Sequence, residues 1–337
     1  MREQVEIFED GSSKCMKAIQ IDRLGGPEVM ELRERPKPEL QPGTIIIRNH
    51  VITVNFGDIF FNRGEYIVKP VFPDTPGMEA AGIVDEVSPD VAEFKPGMRV
   101  AYIGMGAYAD YTRIRPSRVI PLPDWLSFEQ GAAFPIAVMT AWHMIHTLHQ
   151  TDPGQTVLVH SAAGGVGVAA VQICKAAGAR VIGTVSSDAK ADLVRKLGAD
   201  EVINYETSDF AEEALRLTDR RGIDLILDAV GKPTFEKGLK CLAPFGHIIL
   251  FGRAGGVPGP MNPMKVFEKS ATFSGFVLPM IYSRRDVMRR AWDHSFGLIR
   301  EGKLTVPIGA SFPLADARKA HEAILSRQTV GKVLLIP

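Results

Sequence analysis

The residues best suited to chemistry lie in a turn of small side chains, Ser161–Gly167, with the sequence SAAGGVG. The apolar run Val157–Val159 precedes the turn, a helix-like run Val168–Ala177 follows it, and Arg180–Val185 has the character of a second buried strand. Strand, glycine turn, helix and strand form the unit that binds dinucleotides, with the pyrophosphate at the helix N-terminus. The expected cofactor contacts in this turn are Ala163, Gly164, Gly165, Val166 and Gly167.

Two of these glycines have separate expected roles. Gly164 lets the backbone approach a pyrophosphate closely, and Gly167 lets the helix pack tightly on the strand. The first glycine of the usual G-x-G-x-x-G pattern is replaced by Ala162. The alternative to a dinucleotide site is a plain α/β crossover with a glycine-rich turn. The complete βαβ context favours dinucleotide binding.

No acidic residue ends the second strand of this unit, where Val185 is followed by Ser186 and Ser187. In NAD-specific proteins an Asp or Glu accepts a hydrogen bond from the ribose 2′-OH at this position. A carboxylate would repel a 2′-phosphate, so its absence favours NADPH, with Ser186 and Ser187 among the expected contacts. Asp188 is predicted to be the N-cap of the helix Ala189–Leu197.

Alternating strands and helices extend this unit into a larger domain. Six predicted strands with helical crossovers indicate a doubly wound parallel sheet, and the last of them is Ala271–Leu278. Short strands separated by Gly and Pro predominate before Pro123. The tail after Arg284 is predicted to hold the helices Asp286–Glu301 and Leu314–Ser326 and the strands Lys303–Pro307 and Gly331–Ile336.

The composition is that of an ordinary globular protein. Lys plus Arg and Asp plus Glu balance at 39 each, which gives no indication of binding to nucleic acid or to a membrane surface. The three cysteines, Cys15, Cys174 and Cys241, are too few and too far apart for a disulfide framework, so a cytoplasmic location is expected. The polar residues 1–15 are expected to form a flexible extension.

The motifs of this chain resemble those of the medium-chain dehydrogenase/reductase superfamily, and within it the zinc-free quinone oxidoreductases related to zeta-crystallin. The resemblance runs from about Met16 to Pro337, and its motifs are NFGDIFFNRGEY, TPGMEAAGIV, KPGMRV, GAYADY, VLVHSAAGGVG, LGADEVINY and GKVLLIP. It implies a six-stranded Rossmann domain, residues 139–275, inserted into a β-rich, GroES-like catalytic domain formed by residues 16–138 and 276–337.

The resemblance also implies chemistry without zinc. Zinc alcohol dehydrogenases of the superfamily have a catalytic Cys at the position of Asn55, and a His at the position of Met78. No metal site is expected, and His143, His146 and His149 are not expected to form one. Without a Lewis acid, the acceptor should already be electrophilic, as a quinone or a conjugated carbonyl is.

The same resemblance assigns the catalytic residues. It places Asn55 near the nicotinamide and the substrate oxygen as a hydrogen-bond donor, and Tyr66 where it could bind or protonate the substrate. Asp58 is expected to orient this helix. Phe60 stands where related reductases often carry a Tyr, so one hydroxyl near the ring is missing. A capping or turn role is the alternative for Asn55, Asp58 and Tyr66.

Further cofactor contacts follow from the resemblance and from the carboxyl ends of the strands. The family residues that hold the 2′-phosphate match Lys190, Tyr205 and Arg327. For Lys190 and Arg327 the alternative is a solvated surface charge that binds no ligand. Lys332 is expected to reach a phosphate. The remaining expected contacts are Thr140, Phe251, Gly252 and Phe276, with a core position as the alternative for the two aromatic residues.

The leading hypothesis is an NADPH-dependent, zinc-independent reductase of quinones or related conjugated carbonyls. An enoyl or alkenal reductase is the alternative enzyme, and a non-catalytic NADPH-binding protein, crystallin-like or regulatory, is the alternative from another class. The apolar segment Phe273–Leu278 is predicted to be a sheet edge that pairs across a homodimer.

Overall fold

This computed structural model describes residues 15–337. The predicted extension 1–15 therefore lies outside the described residues, apart from Cys15. Cys15 does not belong to an extension, because it begins the first strand and pairs with Pro36 of the second.

The N-terminal part is rich in short strands, as its many Gly and Pro residues predicted. Its elements are β1 (Cys15–Gln20), β2 (Glu31–Pro36), β3 (Ile45–Val54), α1 (Phe56–Asn62), β4 (Glu79–Val87), β5 (Arg99–Ile103), β6 (Tyr111–Ile114), β7 (Val119–Pro121), α2 (Phe128–Ala133) and α3 (Pro135–Trp142). A π-helical segment, His143–His149, continues α3.

Strands and helices then alternate. The elements are β8 (Thr156–Val159), α4 (Gly165–Ala176), β9 (Arg180–Val185), α5 (Asp188–Lys196), β10 (Glu201–Asn204), α6 (Phe210–Leu217), β11 (Ile223–Asp228), α7 (Phe235–Cys241), β12 (Leu242–Leu250), α8 (Met264–Phe267) and β13 (Thr272–Gly275). Gly178 and Gly198 end α4 and α5 with left-handed backbone angles, φ 81° and 105°, which favour glycine.

The tail contains α9 (Arg285–Arg300), β14 (Ile308–Pro313), α10 (Ala317–Leu325) and β15 (Lys332–Ile336). The predicted strand Lys303–Pro307 is wrong, because this segment belongs to no β ladder within residues 15–337. Its Leu304 and Val306 side chains are buried, but the backbone of Thr305 bonds to the side chain of Gln172 and that of Val306 to the side chain of Gln130. Alternating burial therefore arises here without a β ladder.

A six-stranded parallel sheet has the order β10-β9-β8-β11-β12-β13. Crossovers run to both sides of β8, which confirms the predicted doubly wound Rossmann arrangement. The last strand is shorter than predicted. The N–H of Phe276 bonds to the carbonyl of Leu250, where β12 ends, and the 3-10 turn Leu278–Ile281 follows.

A second, mixed sheet has the path β14-β15-β3-β4-β5-β7, and β6 also pairs with β3. Strand β15 comes from the tail and lies between β14 and β3, so the tail completes the N-terminal sheet, as the predicted discontinuous GroES-like fold requires. The proposed division at residues 138 and 139 falls within α3, and it stays a prediction.

The tail also contacts the glycine turn directly. The N–H of Gly331 donates to the carbonyl of Ala163 (2.8 Å), and Gly331 and Gly164 form a β bridge. Gly331 has φ 57°, and a Cβ there would lie 1.9 Å from the carbonyl oxygen of Pro307. Only glycine fits this junction, which brings β15 beside the expected pyrophosphate site. Among residues 15–337, no helix is both long and apolar enough to cross a membrane.

Candidate active site

Asn55 lies between β3 and α1, at the N-cap of the helix, with φ −116° and ψ 155°. The carboxylate of Asp58 accepts a hydrogen bond from the backbone N–H of Asn55 at 2.7 Å. This is the orienting role predicted for Asp58, and it satisfies a backbone donor at the helix start.

Asp58 is fully buried, and one of its carboxylate oxygens has no hydrogen-bond partner among the described residues. Burial raises the pKa of Asp58 to about 7, against the lowering effect of its bonds to Asn55 and Tyr108. The Tyr108 hydroxyl lies 3.1 Å from Asp58 and 2.9 Å from Nε2 of His321. A buried chain of three titratable groups thus supports the helix that carries Asn55.

The side chain of Asn55 belongs to a buried network with Lys332 and Glu79. The Lys332 ammonium donates to Asn55 Oδ1 (2.6 Å) and to Glu79 Oε1 (2.7 Å), and Asn55 Nδ2 donates to the same Glu79 oxygen (2.8 Å). Glu79 is 0% and Lys332 2% exposed. Asn55 is therefore fixed at both ends of its amide, with one N–H left to donate.

Glu79 has further partners that compensate its burial. Thr53 donates its hydroxyl to Oε1 at 2.5 Å, and the backbone N–H of Ile136, in α3, donates to Oε2 at 2.6 Å. A buried carboxylate is stable only when it is paired and fully hydrogen-bonded, and these contacts meet that condition.

The position of Lys332 corrects the prediction that it reaches a cofactor phosphate. Its ammonium bonds instead to Glu79 and Asn55, because a buried carboxylate is a strong partner for a buried cation. The stem of Lys332 passes the glycine turn, since a Cβ on Gly165 would lie 2.8 Å from its Cδ. Lys332 thus spans the distance between the glycine turn and Asn55.

Tyr66 lies close to the start of α1. A Cβ on Gly57 would lie 3.4 Å from the ring of Tyr66 and 3.2 Å from the sulfur of Met78, so the three residues are neighbours. Burial raises the pKa of Tyr66 to about 12, which keeps the phenol protonated at neutral pH. Its hydroxyl makes no hydrogen bond within residues 15–337 and could donate to a ligand.

Two side chains that the sequence analysis did not select lie beside this segment. The guanidinium of Arg253 stacks on the ring of Phe60 at 4.7 Å and donates to the carbonyl of Glu65 at 2.5 Å. Burial raises the pKa of Tyr282, and the nearby Tyr66 raises it further. No local sequence pattern marks either residue, because both reach the site from segments about 190 or more positions away.

The glycine turn has the predicted form. Gly164 is the N-cap of α4, and a Cβ there would have one neighbour, the carbonyl oxygen of Ser161 at 3.3 Å. A Cβ on Gly167 would lie 2.2 Å from that same oxygen, so Gly167 permits close packing between helix and turn. Free N–H groups at the start of α4 suit a pyrophosphate.

Three segments of the chain bring the predicted 2′-phosphate residues Lys190, Tyr205 and Arg327 near the carboxyl end of β9. Lys190 donates to the Ser186 hydroxyl (3.2 Å) and to the backbone carbonyl of Arg327 (2.5 Å), and the N–H of Tyr205 bonds to the carbonyl of Val185. Burial lowers the pKa of Lys190, and the charge of Arg327 lowers it further. Two cations close together, with no acidic side chain of residues 15–337 bonded to Lys190, form a suitable place for an anion.

The start of α5 differs from the prediction. Its N-cap is Ser187 and not Asp188, because Ser187 has an extended backbone and its hydroxyl accepts from the N–H of Lys190. Asp188 is the first helical residue and accepts a bond from Asn204.

Of the other expected cofactor contacts, Phe251 and Gly252 directly follow β12. Thr140 is buried within α3, and Phe276 is a buried core residue. Phe251 is partly buried, and a Cβ on Gly252 would lie 2.6 Å from the carbonyl oxygen of Ala229. The structure thus places Phe276 in the core, which was the alternative for this residue.

The positions expected to bind zinc in relatives hold Asn55 and Met78, and the described residues contain no group of three His, Cys, Asp or Glu side chains arranged to hold a metal. His143 contacts Thr147 and Met288, whereas His149 contacts His247 and Gln155. Burial lowers the pKa of His143 to about 4.

Comparison with known proteins agrees with this geometry. Residues 41–124 match the alcohol dehydrogenase GroES-like domain, and residues 165–294 match the zinc-binding dehydrogenase family. The chain is 37% identical over 326 residues to the quinone oxidoreductase of Pseudomonas aeruginosa, a match that covers 95% of this chain and 99% of that protein. The chain belongs to the quinone oxidoreductases of the medium-chain dehydrogenase/reductase superfamily.

Other members of the superfamily are similar over nearly the same length. The 2-haloacrylate reductase of a Burkholderia species is 34% identical over 333 residues, which cover 95% of this chain and 98% of that protein. The quinone oxidoreductase of Escherichia coli, solved in complex with NADPH, superimposes with a TM-score of 0.92 at 35% identity and covers 95% of this chain and 100% of that one.

We predict that Lys332→Met destabilises the protein by about 3–5 kcal/mol, because Glu79 is then buried without its cation. The double variant Lys332→Met, Glu79→Gln should recover most of this loss, since no isolated charge remains. Urea unfolding of the three proteins measures both effects. Equal losses in the single and the double variant would show that the charge of Glu79 is not the cause.

We predict that Asp58 makes stability depend on pH between about 4 and 7. Its pKa of about 7 in the folded state lies above the ordinary value of 3.8 for an aspartate, so its contribution to stability is complete below pH 4 and is lost as the pH rises to about 7. The stability of the wild type should therefore fall relative to Asp58→Asn over this range, by up to about 4 kcal/mol. Parallel pH profiles from urea unfolding would contradict the prediction.

Proposed function

We propose that this chain reduces quinones or related conjugated carbonyls with NADPH and without zinc. The observation that carries the proposal is the position of Asn55, whose amide is fixed by Lys332 and Glu79 next to the glycine turn. The ammonium of Lys332 already bonds to both side chains, and it would repel a metal cation at the same place.

The residues near the carboxyl end of β9 and at the start of α4 are suited to binding the phosphates of NADPH. Lys190 and Arg327 supply positive charge for the 2′-phosphate, the serines Ser186 and Ser187 supply hydroxyls, and the start of α4 supplies N–H groups for the pyrophosphate. NADPH, when bound, supplies the hydride. The E. coli relative solved with NADPH supports this assignment.

The protein's own residues would bind and orient the acceptor. The free N–H of Asn55 and the hydroxyl of Tyr66 donate hydrogen bonds to an acceptor oxygen as negative charge develops on it. Because Lys332 holds Asn55 Oδ1, the amide cannot flip and present its oxygen instead. One hydride and one proton together convert a quinone to its hydroquinone, and the proton comes from Tyr66 or from water.

Reduction of an activated carbon–carbon double bond is the second candidate. It is favoured by the 34% identity to a 2-haloacrylate reductase, because that enzyme is named for an acrylate and not for a quinone. The same two donors would then bind the carbonyl oxygen of the conjugated system.

We also propose a cytoplasmic homodimer with small-molecule substrates and no nucleic-acid partner. Strand β13 lies at the edge of its sheet, and the apolar side chains of Phe267 (74% exposed) and Met280 (66% exposed) lie on either side of it in sequence. An exposed strand edge flanked by apolar residues is suited to pairing with a second copy. Cys15 is exposed and unpaired, which is compatible with a reducing compartment.

We predict that Tyr66→Phe lowers kcat/KM for 1,4-benzoquinone by about 10–100-fold, because one donor to the developing charge is lost. Tyr111→Phe, which removes a hydroxyl far from Asn55 in sequence, is the matched control and should leave kcat/KM unchanged. Steady-state NADPH oxidation measures both variants, with 9,10-phenanthrenequinone as a second acceptor. No turnover of either quinone, together with reduction of enones, would favour the second candidate.

We predict that Lys190→Ala raises the KM for NADPH by about 10-fold or more and changes the KM for NADH little, because a charge-assisted bond to the 2′-phosphate is worth about 1.5–3 kcal/mol. Lys196→Ala, on the same helix and exposed, is the control. An equal effect on both cofactors would place the 2′-phosphate elsewhere.

A further inference from the structure

A cavity of about 160 Å³ lies between the N-terminal sheet and the segment that leads into α9. Its apolar and aromatic lining includes Ile103, Tyr282 and Trp292, and three arginines, Arg118, Arg285 and Arg289, also line it. An apolar cavity of about 150 Å³ is large enough for benzene, so this one could hold a single ring or a short carbon chain.

The cavity is close to the network around Asn55. Ile103 of β5 is the direct cross-strand partner of Glu79 in β4, and partners in an antiparallel pair project from the same face of the sheet. The aromatic lining residue Tyr282 is close enough to Tyr66 and Glu79 for both to raise its pKa. The cavity therefore borders the place where we propose that the acceptor is reduced.

The cavity carries positive charge, and two of its three arginines have no acidic partner among the described residues. The guanidinium of Arg118 stacks on the ring of Tyr282, 3.8 Å from its centroid. Neither Arg118 nor Arg285 has a side-chain hydrogen bond or an ion pair within residues 15–337. The third cavity arginine, Arg289, lies 3.9 Å from Asp293, and the nearby Asp286 lies 3.7 Å from Arg290, outside the cavity lining.

Stacking on Tyr282 orients the Arg118 guanidinium so that it can bind an anion. A guanidinium fixed on an aromatic ring keeps its N–H edge free, and that edge matches the two oxygens of a carboxylate. A neutral quinone offers no group that needs this cation. An acceptor with a carboxylate on a short chain or ring would place its charge at Arg118 and its carbon skeleton against Ile103 and Trp292.

We propose that this cavity binds the carboxylate end of the acceptor, and that the natural acceptor is a conjugated carbonyl or quinone bearing a carboxylate. Arg118 is the residue that determines this specificity. The proposal rests on the proposed reductase function and names its substrate class.

The test compares an acid with its ester. Wild-type protein should reduce trans-4-oxo-2-pentenoate with a higher kcat/KM than the methyl ester, by about 10-fold. Arg118→Gln should lower kcat/KM for the acid by about 10–100-fold and leave that for the ester and for 1,4-benzoquinone within twofold, since a charge-assisted bond is worth about 1.5–3 kcal/mol. Arg300→Gln, an exposed arginine at the end of α9, is the matched control.

A binding experiment without turnover separates the two proposals. Calorimetric titration of the NADPH-bound protein with benzoate and with benzamide should show binding of benzoate alone, and Arg118→Gln should abolish it. If quinones are reduced but neither the acid nor benzoate depends on Arg118, the specificity proposal is wrong and the reductase function stands. If benzoate binds through Arg118 but no acceptor is reduced, the anion site is real and the proposed reductase function is wrong. The proposed class of acceptor is then wrong as well.

Discussion

The ion pair between Lys332 and Glu79 is the contact on which the rest of the site depends. Both charges are almost completely removed from water, and such a pair is stable only if the carboxylate oxygens have further hydrogen-bond partners besides the cation. Thr53, Asn55 and the backbone of Ile136 supply those partners. The requirement to satisfy a buried carboxylate therefore determines the orientation of Asn55, and the same requirement connects β3, β4, α3 and β15.

The pair also joins the two sheets through a single side chain. The ammonium of Lys332 lies in the network of the mixed sheet, while its stem lies against Gly165 in the glycine turn of the parallel sheet. The cofactor loop and the proposed hydrogen-bond donor are thus connected by one aliphatic chain. Because Gly331 bonds to Ala163 just before this lysine, the backbone and the side chain contact the same turn.

The sequence predicted those features of the fold that depend on local periodicity and on turn residues. The βα alternation from Val157 onward was sufficient for the six-stranded sheet, and the small residues at Gly164 and Gly167 were sufficient for the turn. The local sequence did not predict the partner of Lys332. Glu79 is 253 positions away, and the pairing of two buried charges depends on the tertiary structure. The prediction for residues 303–307 is wrong for a related reason, since the backbone groups of Thr305 and Val306 bond to the side chains of the distant residues Gln172 and Gln130.

Strand β15 has a consequence for the order in which the chain can fold. The parallel sheet consists of residues 156–275, a contiguous stretch, whereas β15 pairs with β3 between Val333 and Val54, almost the whole chain apart. Closing so long a loop costs entropy before any contact compensates for it, so contacts within the contiguous sheet should form early and β15 should be inserted late. The assembly of Asn55, Glu79 and Lys332 would then be one of the last events on the path to the native state.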